Sequence, residues 1–185
     1  MSLKNKRLIQ TLKRPVLEGI MYVLLLVCVV FIVPRYIVQR TIVDGSSMEN
    51  TFMHGDQLLV EKVTRYVTEF ERFDIIVFQP DANVTGDQFI KRIIGLPGET
   101  IQIVDGQIYV NETVLPEEFG KMPIENAGIA AEPITLGPEE YFVLGDNRAI
   151  SLDSRYESVG AVHHSQIEGR VMLQIYPFSK FGTVE

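Results

Sequence analysis

The residues best suited to chemistry lie in three polar segments of an otherwise apolar sequence. The first segment, residues 43–52, carries two adjacent serines, Ser46 and Ser47, directly after Gly45. A serine hydroxyl becomes an effective nucleophile when a neighbouring base accepts its proton. Taken alone, a Gly-Ser-Ser sequence is also typical of an ordinary turn.

The second segment, residues 89–98, places two cations inside a predicted strand. Alternation along a strand puts Lys91 and Arg92 on opposite faces, so we expect one of the two cations to lie against apolar surface. A buried lysine can respond by losing its proton, whereas an arginine effectively cannot. Lys91 is therefore a candidate base. The alternative is an edge-strand lysine whose ammonium group reaches solvent.

The third segment, residues 145–155, directly follows the predicted strand 140–144. It could be an exposed loop held by surface salt bridges, which contribute little to stability. It could also be a dense hydrogen-bonded loop that holds a neighbouring side chain rigidly. Its charged and hydroxyl residues include Asp146, Arg148, Ser151, Asp153 and Arg155.

An apolar segment precedes all three. Residues 20–33 are fourteen apolar residues without a polar break, and flanking apolar residues extend the segment to 16–38. At about 1.5 Å per residue, this length spans a hydrocarbon core of about 30 Å. We therefore predict a transmembrane helix over residues 16–38. The alternative is an apolar core helix of a soluble protein.

The surrounding charges predict the orientation of this helix. Residues 1–40 carry seven cations and one anion, which leaves a net charge of −13 on residues 41–185. The first fourteen residues carry five cations and no acid, and such a flank stays in the cytoplasm. We therefore predict a cytoplasmic basic N-terminus over residues 1–15 and an extracytoplasmic domain over residues 39–185. No small-residue cleavage site follows the apolar segment, so we predict a retained signal-anchor in the cell membrane.

From residue 41 onward the sequence is mainly β, and we predict an antiparallel β-sheet domain. Asp105 and Gly106, between alternating apolar residues, predict a two-residue type I′ hairpin. Residues 116–138, with four prolines and three glycines, predict an exposed excursion. The predicted strands are 57–63, 74–79, 88–94, 100–104, 107–110, 140–144 and 169–176.

Composition excludes several classes of protein. With Cys28 as its one cysteine, the chain has no internal disulfide and no cysteine-built zinc or iron–sulfur site. A net charge of −7 argues against a general nucleic-acid binder. We predict no metal, no cofactor and no nucleic-acid partner.

In this order behind an N-terminal anchor, the three segments resemble the type I signal peptidases, membrane-bound serine proteases that remove signal peptides from exported proteins. The family's serine box, G-x-S-M-x-P-T, is matched by residues 45–51, except that Asn50 occupies the proline position. Its lysine box is matched by residues 91–98. Its G-D-N-R-x-x-S-x-D-S-R box is matched in full by residues 145–155.

The resemblance implies a serine endopeptidase that needs no cofactor. Ser47 is the expected nucleophile, forming an acyl-enzyme, and Lys91 is the expected general base. To act near neutral pH, Lys91 needs a pKa about three units below its usual value, and burial is the available cause. Ser151 is expected to hydrogen-bond and orient the lysine. The residues expected to brace that loop are Asp146, Arg148, Asp153 and Arg155.

An oxyanion site needs donors aimed at the developing charge. The backbone N–H of Ser47 is the expected first donor. Gly45 has no side chain to supply a second, which leaves Ser46 or another backbone N–H as candidates. Asn50 in place of the family's proline predicts a looser serine loop and lower turnover, which the Asn50→Pro substitution should raise.

The resemblance also implies cleavage after a small-x-small (Ala-x-Ala) sequence in an extended peptide. The expected partners are preprotein signal peptides and the lipid bilayer, and a second hypothesis is self-cleavage after Ala130 in the excursion. The alternative function is a catalytically impaired, membrane-tethered relative that binds signal peptides, supported only by Asn50. The expected pocket walls are Val43, Met48, Phe52, Phe89 and Ile90.

Overall fold

The computed structural model describes residues 3–80, 88–120 and 122–184. The chain forms two compact units, residues 1–38 and 39–185. The first unit is helical and the second consists mainly of antiparallel strands.

The first unit is a nearly continuous helix. It comprises α1 (Leu3–Val27), a π-helical turn (Cys28–Ile32) and α2 (Val33–Tyr36). The span Arg14–Tyr36 is long and apolar enough to cross a membrane, by length and composition. The side chains of residues 14–31 are all exposed within the protein, as expected of an apolar surface that lipid covers.

The second unit contains two antiparallel sheets. The strands are β1 (Val38–Ile42), β2 (Gln57–Glu61), β3 (Ile75–Phe78), β4 (Phe89–Gly95), β5 (Thr100–Val104), β6 (Gln107–Val110), β7 (Thr113–Val114), β8 (Ile134–Thr135), β9 (Glu140–Leu144), β10 (Val162–His163), β11 (Ile167–Tyr176) and β12 (Gly182–Thr183). The larger sheet has the order β1-β2-β11-β3-β4-β9-β10, with β12 paired to β11. The smaller sheet has the order β7-β6-β5-β8, and a short helix α3 (Thr64–Val67) follows β2.

The predicted antiparallel β fold is confirmed, with differences at several boundaries. Strands β5, β6 and β9 have the predicted bounds. The strand predicted over 57–63 stops at Glu61, because the Glu61 carboxylate accepts the N–H groups of Val63 and Thr64 and starts α3 there. Strand β1 was not predicted. Its first residue, Val38, falls inside the segment assigned to the membrane helix.

The predicted hairpin turn is confirmed, and most described residues of the predicted excursion are exposed or half-buried. Asp105 and Gly106 have φ values of 49° and 77°, as a type I′ turn requires. The excursion is also partly structured: residues 128–131 form a 3₁₀ helix in which Ala130 is fully buried. The expected self-cleavage after Ala130 is therefore wrong for the folded domain, because a protease needs an extended and accessible segment.

The core consists of three clusters of buried apolar side chains on the two sides of the larger sheet and over the smaller one. One cluster includes Val43, Met48 and Phe52 from the first polar segment together with Ile75 and Ile90 from β3 and β4. This packing fixes the first polar segment against the strand that carries Lys91.

Candidate active site

Ser47 and Lys91 meet in the structure. Lys91 Nζ donates a hydrogen bond to Ser47 Oγ at 2.7 Å and another to the Ile90 carbonyl oxygen at 3.1 Å. Lys91 is the third residue of β4, which is flanked by β3 and β9, and its side chain is 3% exposed. A central strand thus holds the amine rigidly beside the hydroxyl, within the reach that proton transfer requires.

Ser47 lies in a tight turn of the serine loop, as we call residues 43–52. The turn is closed by hydrogen bonds from Glu49 N–H to Ser46 O at 3.0 Å and from Phe52 N–H to Met48 O at 2.8 Å. Within the described part of the chain, the Ser47 N–H has no hydrogen-bond partner. It is therefore available to an incoming oxyanion.

Asn147 fixes the serine turn from the other side. Its backbone N–H donates to the Ser47 carbonyl oxygen at 3.0 Å, and its side-chain Nδ2 donates to the Ser46 carbonyl oxygen at 3.2 Å. Both contacts orient the peptide units on either side of the serine. Asn147 lies inside the third motif, but its two contacts with the serine turn were not predicted.

Asp146 joins all three polar segments. Its carboxylate accepts hydrogen bonds from Arg92 Nε at 3.0 Å and Nη2 at 2.9 Å, and another from the Thr51 hydroxyl. Arg92 also donates to the Phe73 carbonyl oxygen at 3.0 Å. The Arg92 and Asp146 side chains are 1% and 0% exposed, so this is a buried ion pair with additional hydrogen bonds.

These contacts extend the prediction for the strand that carries the two cations. We expected one of Lys91 and Arg92 to lie against apolar surface. Lys91 is buried with its Nζ 5.0 Å from the centroid of the Phe89 ring, and Arg92 is buried as well. Alternation sends the two side chains to opposite faces, but Asp146, 54 residues away along the chain, receives the arginine. The roles of Arg92 and Thr51 were missed for the same reason, since each depends on a distant partner.

The other predicted bracing residues hold the Asp146 loop, as we call residues 145–155. Asp153 Oδ2 accepts the Gly145 N–H at 3.0 Å, and Asp153 Oδ1 pairs with Arg155 Nε at 2.8 Å. Arg155 Nη2 donates to the Arg148 carbonyl oxygen at 2.8 Å, and Arg148 Nε donates to the Gly145 carbonyl oxygen at 3.0 Å. The loop is therefore cross-linked at both its ends.

The structure does not contain the expected hydrogen bond from Ser151 to Lys91. The Ser151 Oγ is buried, and among the described residues it has no hydrogen-bond partner. It packs tightly at Gly145, where an added methyl group would overlap it and lie 2.5 Å from the Ser47 carbonyl oxygen. The acceptor that orients the lysine here is the Ile90 carbonyl oxygen.

Burial makes Lys91 a weaker base than an exposed lysine. Desolvation lowers the pKa of Lys91 from 10.5 to about 8, while the negative charges of Asp153 and Asp146 act in the opposite direction. Desolvation is the larger effect because burial penalises the charged ammonium form. Near neutral pH, a useful fraction of Lys91 is thus the neutral amine that can accept a proton.

An open cleft of about 600 Å³ leads to this pair. Of the expected pocket walls, Val43, Met48, Phe89 and Ile90 line it, and Phe52 does not. Phe52 is wrong as a pocket residue because the serine turn directs its ring into the core. The cleft lining that was not predicted includes Thr41, Ile42, Gln88, Ile150 and Leu152.

Asn50 adopts a backbone conformation with φ of 101°. Proline is held at φ near −65°, so it cannot occupy this position without a change in the turn. Asparagine tolerates positive φ better than most residues. The expectation that proline here would tighten the serine loop is therefore wrong for this backbone.

Across the described ranges 3–80, 88–120 and 122–184, no group of three or more His, Cys, Asp or Glu side chains could hold a metal ion. The chemistry available at the site is that of a hydroxyl, a neutral amine and backbone donors.

Comparison with known proteins supplies an independent line of evidence. The family model described as signal peptidase, peptidase S26, matches residues 16–176. Signal peptidase I of Bacillus licheniformis is 30% identical over 175 residues, covering 91% of this chain and 92% of that protein. Signal peptidase I U of Bacillus subtilis strain 168 is 30% identical over 185 residues, covering 97% of this chain and 94% of that protein.

Among solved structures, a signal peptidase I from Enterococcus faecalis V583 is 34% identical in sequence to the matched region. The match covers 56% of this chain and 97% of that one, with a TM-score of 0.46.

The buried ion pair yields a stability prediction. Arg92→Met leaves the Asp146 carboxylate buried without its cation, and we expect it to lower the free energy of unfolding by about 3–5 kcal/mol. The matched control is Arg170→Met, which removes a cation that is 37% exposed and makes looser contacts, of 3.3 and 3.4 Å, with Glu61 and Asp74. We expect the control to cost about 1 kcal/mol or less. Urea unfolding of the detergent-solubilised chain measures the free energy of unfolding of both variants. Equal decreases would contradict the larger contribution that we assign to the Arg92–Asp146 pair.

The φ value of Asn50 yields a second prediction. We expect Asn50→Pro to lower the thermal unfolding midpoint, because a residue fixed near −65° costs more than about 1 kcal/mol where the native φ is positive. Asn50→Gly should leave the midpoint nearly unchanged, since glycine adopts positive φ freely. Calorimetry on the three proteins decides the point, and a proline variant as stable as the parent would show that the turn has another conformation.

Proposed function

The chain belongs to the signal peptidase I family of serine endopeptidases, and on that premise we propose that Ser47 and Lys91 carry out hydrolysis as nucleophile and general base. Family members remove signal peptides from preproteins. The observation that carries the proposal is the 2.7 Å contact between Ser47 Oγ and Lys91 Nζ, combined with the burial of that amine.

The proposed reaction has two half-reactions. Neutral Lys91 accepts the Ser47 proton as Oγ attacks the scissile carbonyl carbon, and the resulting ammonium donates that proton to the departing amine of the mature protein. The product is an acyl-enzyme. Lys91 then takes a proton from water, the hydroxide attacks the acyl carbon, and return of the proton to Ser47 Oγ releases the signal peptide.

The oxyanion of each tetrahedral intermediate needs fixed donors. We assign the Ser47 N–H as the first donor, since the serine turn leaves it without a partner. Ser46, which is half-buried and lines the cleft, is the candidate for the second. Asn147 supports both by holding the carbonyl groups of Ser46 and Ser47, so the donors need no reorganisation as charge develops.

The lining of the cleft supports the proposed preference for small residues. The apolar part of its lining includes Val43, Met48, Ile90, Ile150 and Leu152. An extended peptide sends side chains −1 and −3 to the same face, so both would enter this cleft. Small side chains at those positions fit the Ala-x-Ala rule that we propose.

The family is membrane-associated, and this chain has the apolar helix Arg14–Tyr36. We propose that the helix crosses the membrane once, with residues 1–15 in the cytoplasm and residues 39–185 outside. The support is the five cations, with no acid, among the first fourteen residues, since such cationic flanks stay in the cytoplasm. The proposed partners are preprotein signal peptides and the lipid bilayer.

The competing function is a catalytically impaired relative that binds signal peptides. Its only support was Asn50 at the family's proline position. The turn accommodates Asn50, and Ser47 and Lys91 remain in hydrogen-bond contact. The geometry therefore favours an active peptidase.

The dyad is tested with a preprotein that carries an Ala-x-Ala site. We expect Ser47→Ala and Lys91→Ala each to lower kcat by at least about 10³-fold, as loss of a catalytic group does in serine proteases. The matched controls, Ser179→Ala and Lys62→Ala, should cleave like the parent. Mass spectrometry identifies the cleaved bond. If Ser47→Ala cuts normally, Ser47 is not the nucleophile; if the folded parent is itself inert, the binding function is favoured.

The pH dependence tests the base. Only the neutral amine accepts a proton, so kcat/KM should rise about tenfold per pH unit below pH 8 and level off above it, given a Lys91 pKa of about 8. Lys91→Arg should be inert at every pH because arginine stays charged. A profile that levels off near pH 6.5 would point to a histidine instead.

The same pKa can be checked without substrate. The folded-state pKa of Lys91 lies below its unfolded value of 10.5, so the unfolded chain binds more protons between pH 8 and 10.5 and stability rises with pH there. Below pH 8 we expect Lys91→Met to be more stable than the parent by about 3 kcal/mol. That difference should shrink towards pH 10.5, and a constant difference would contradict the lowered pKa.

A further inference from the structure

A short segment outside the three motifs contacts two of the three arginines that hold the Asp146 loop. This segment, residues 117–120, lies in the excursion between β7 and β8, and we call it the strap. Glu117 binds Arg148 through both carboxylate oxygens, each 2.8 Å from a guanidinium nitrogen. Phe119 stacks on Arg92, whose Cζ is 3.7 Å from the ring centroid.

The contact with Arg148 is shielded from water. The side chains of Arg148 and Glu117 are 1% and 11% exposed. Gly120 packs directly on the guanidinium, since an added methyl group would lie 2.7 Å from Arg148 Cζ. A two-point charged contact of this kind fixes orientation as well as distance.

The strap is connected to the nucleophile through two short paths. In the first, Arg148 Nε donates a hydrogen bond to the Gly145 carbonyl oxygen at 3.0 Å. Two residues further along the chain, the Asn147 N–H donates to the Ser47 carbonyl oxygen at 3.0 Å. In the second, Arg92 binds Asp146, which accepts the Thr51 hydroxyl of the serine loop. Both paths enter the Asp146 loop and leave it at the serine loop.

We infer that the strap is a positioning element for the proposed dyad, with Glu117 and Phe119 holding the Asp146 loop in the register that fixes Ser47. The inference rests on the proposed function. Neither residue lines the substrate cleft, so both act through Arg148 and Arg92 rather than on substrate. Misplacing a reacting group by about 1 Å can cost about 10²-fold in rate, so a loosened strap has a measurable effect.

Glu117→Ala in the detergent-solubilised full chain tests the inference. We expect kcat to fall about tenfold with KM changed less than about threefold, at a temperature well below the unfolding midpoint. The matched control is Glu118→Ala, which removes the same charge from the exposed neighbouring residue and should cleave like the parent. Phe119→Leu, which keeps apolar volume but removes the ring over Arg92, should lower kcat in the same direction.

Chemical rescue separates positioning from general destabilisation. A second cleft of about 450 Å³ is lined by Glu117, Gly120 and Arg148, so a small carboxylate can reach the guanidinium once Glu117 is truncated. We expect sodium acetate to restore part of the kcat of Glu117→Ala, while sodium chloride at equal ionic strength does not. Equal effects of the two salts would show that the Glu117 charge does not position the loop.

A measurement independent of cleavage distinguishes this inference from the proposed function. Amide hydrogen exchange reports the backbone N–H groups of Gly145 and Asn147, which hold Asp153 and Ser47. In Glu117→Ala we expect these two amides to exchange about tenfold faster, with β3 and β9 unchanged. If the parent does not cleave the preprotein, the proposed function fails. In that case the amide exchange rates alone decide whether the strap holds the Asp146 loop. Parental exchange at both amides, or parental kcat, would overturn the inference.

Discussion

Two opposite charges, Asp146 and Arg92, meet in the interior of the β-sheet unit, where almost no water reaches either. Removing them from solvent is costly, and mutual attraction offsets the cost only when the remaining donors and acceptors are also satisfied. Here the carboxylate takes two bonds from the arginine and one from Thr51, while the guanidinium also reaches the Phe73 carbonyl oxygen. The pair is therefore favourable only when all these segments are in place, which ties the site to the complete fold.

The surroundings of Lys91 differ from those of Arg92. Lys91 is as deeply buried as its neighbour Arg92, yet no carboxylate pairs with it in the described structure, and its hydrogen bonds go to Ser47 and the Ile90 carbonyl oxygen. Asp146 and Asp153 still raise its pKa, but each is committed to an arginine, which weakens its pull on the lysine. Desolvation therefore prevails. Because Arg92 pairs with Asp146 and Arg155 pairs with Asp153, these two carboxylates raise the pKa of Lys91 less than burial lowers it.

Most of the correct predictions of strands and turns came from local sequence patterns. The bounds of β5, β6 and β9 and the turn at Asp105-Gly106 follow from alternation and turn chemistry within ten residues. Strand β1 could not be recognised, because its apolar residues continue those of the preceding helix. The contacts of Arg92, the direction of the Phe52 ring and the φ of Asn50 depend on tertiary packing, so no local pattern contains them. The three motifs identify which residues gather, whereas their partners emerge only from the folded chain.

The long chain separations within the site have a consequence for biosynthesis. Ser47 and Lys91 are 44 residues apart, and Thr51 and Asp146 are 95 residues apart. A growing chain exposes its serine long before the loop that holds it has been made. The proposed nucleophile therefore lacks the loop that holds it, and the site forms only after synthesis has passed residue 155 and that loop has packed.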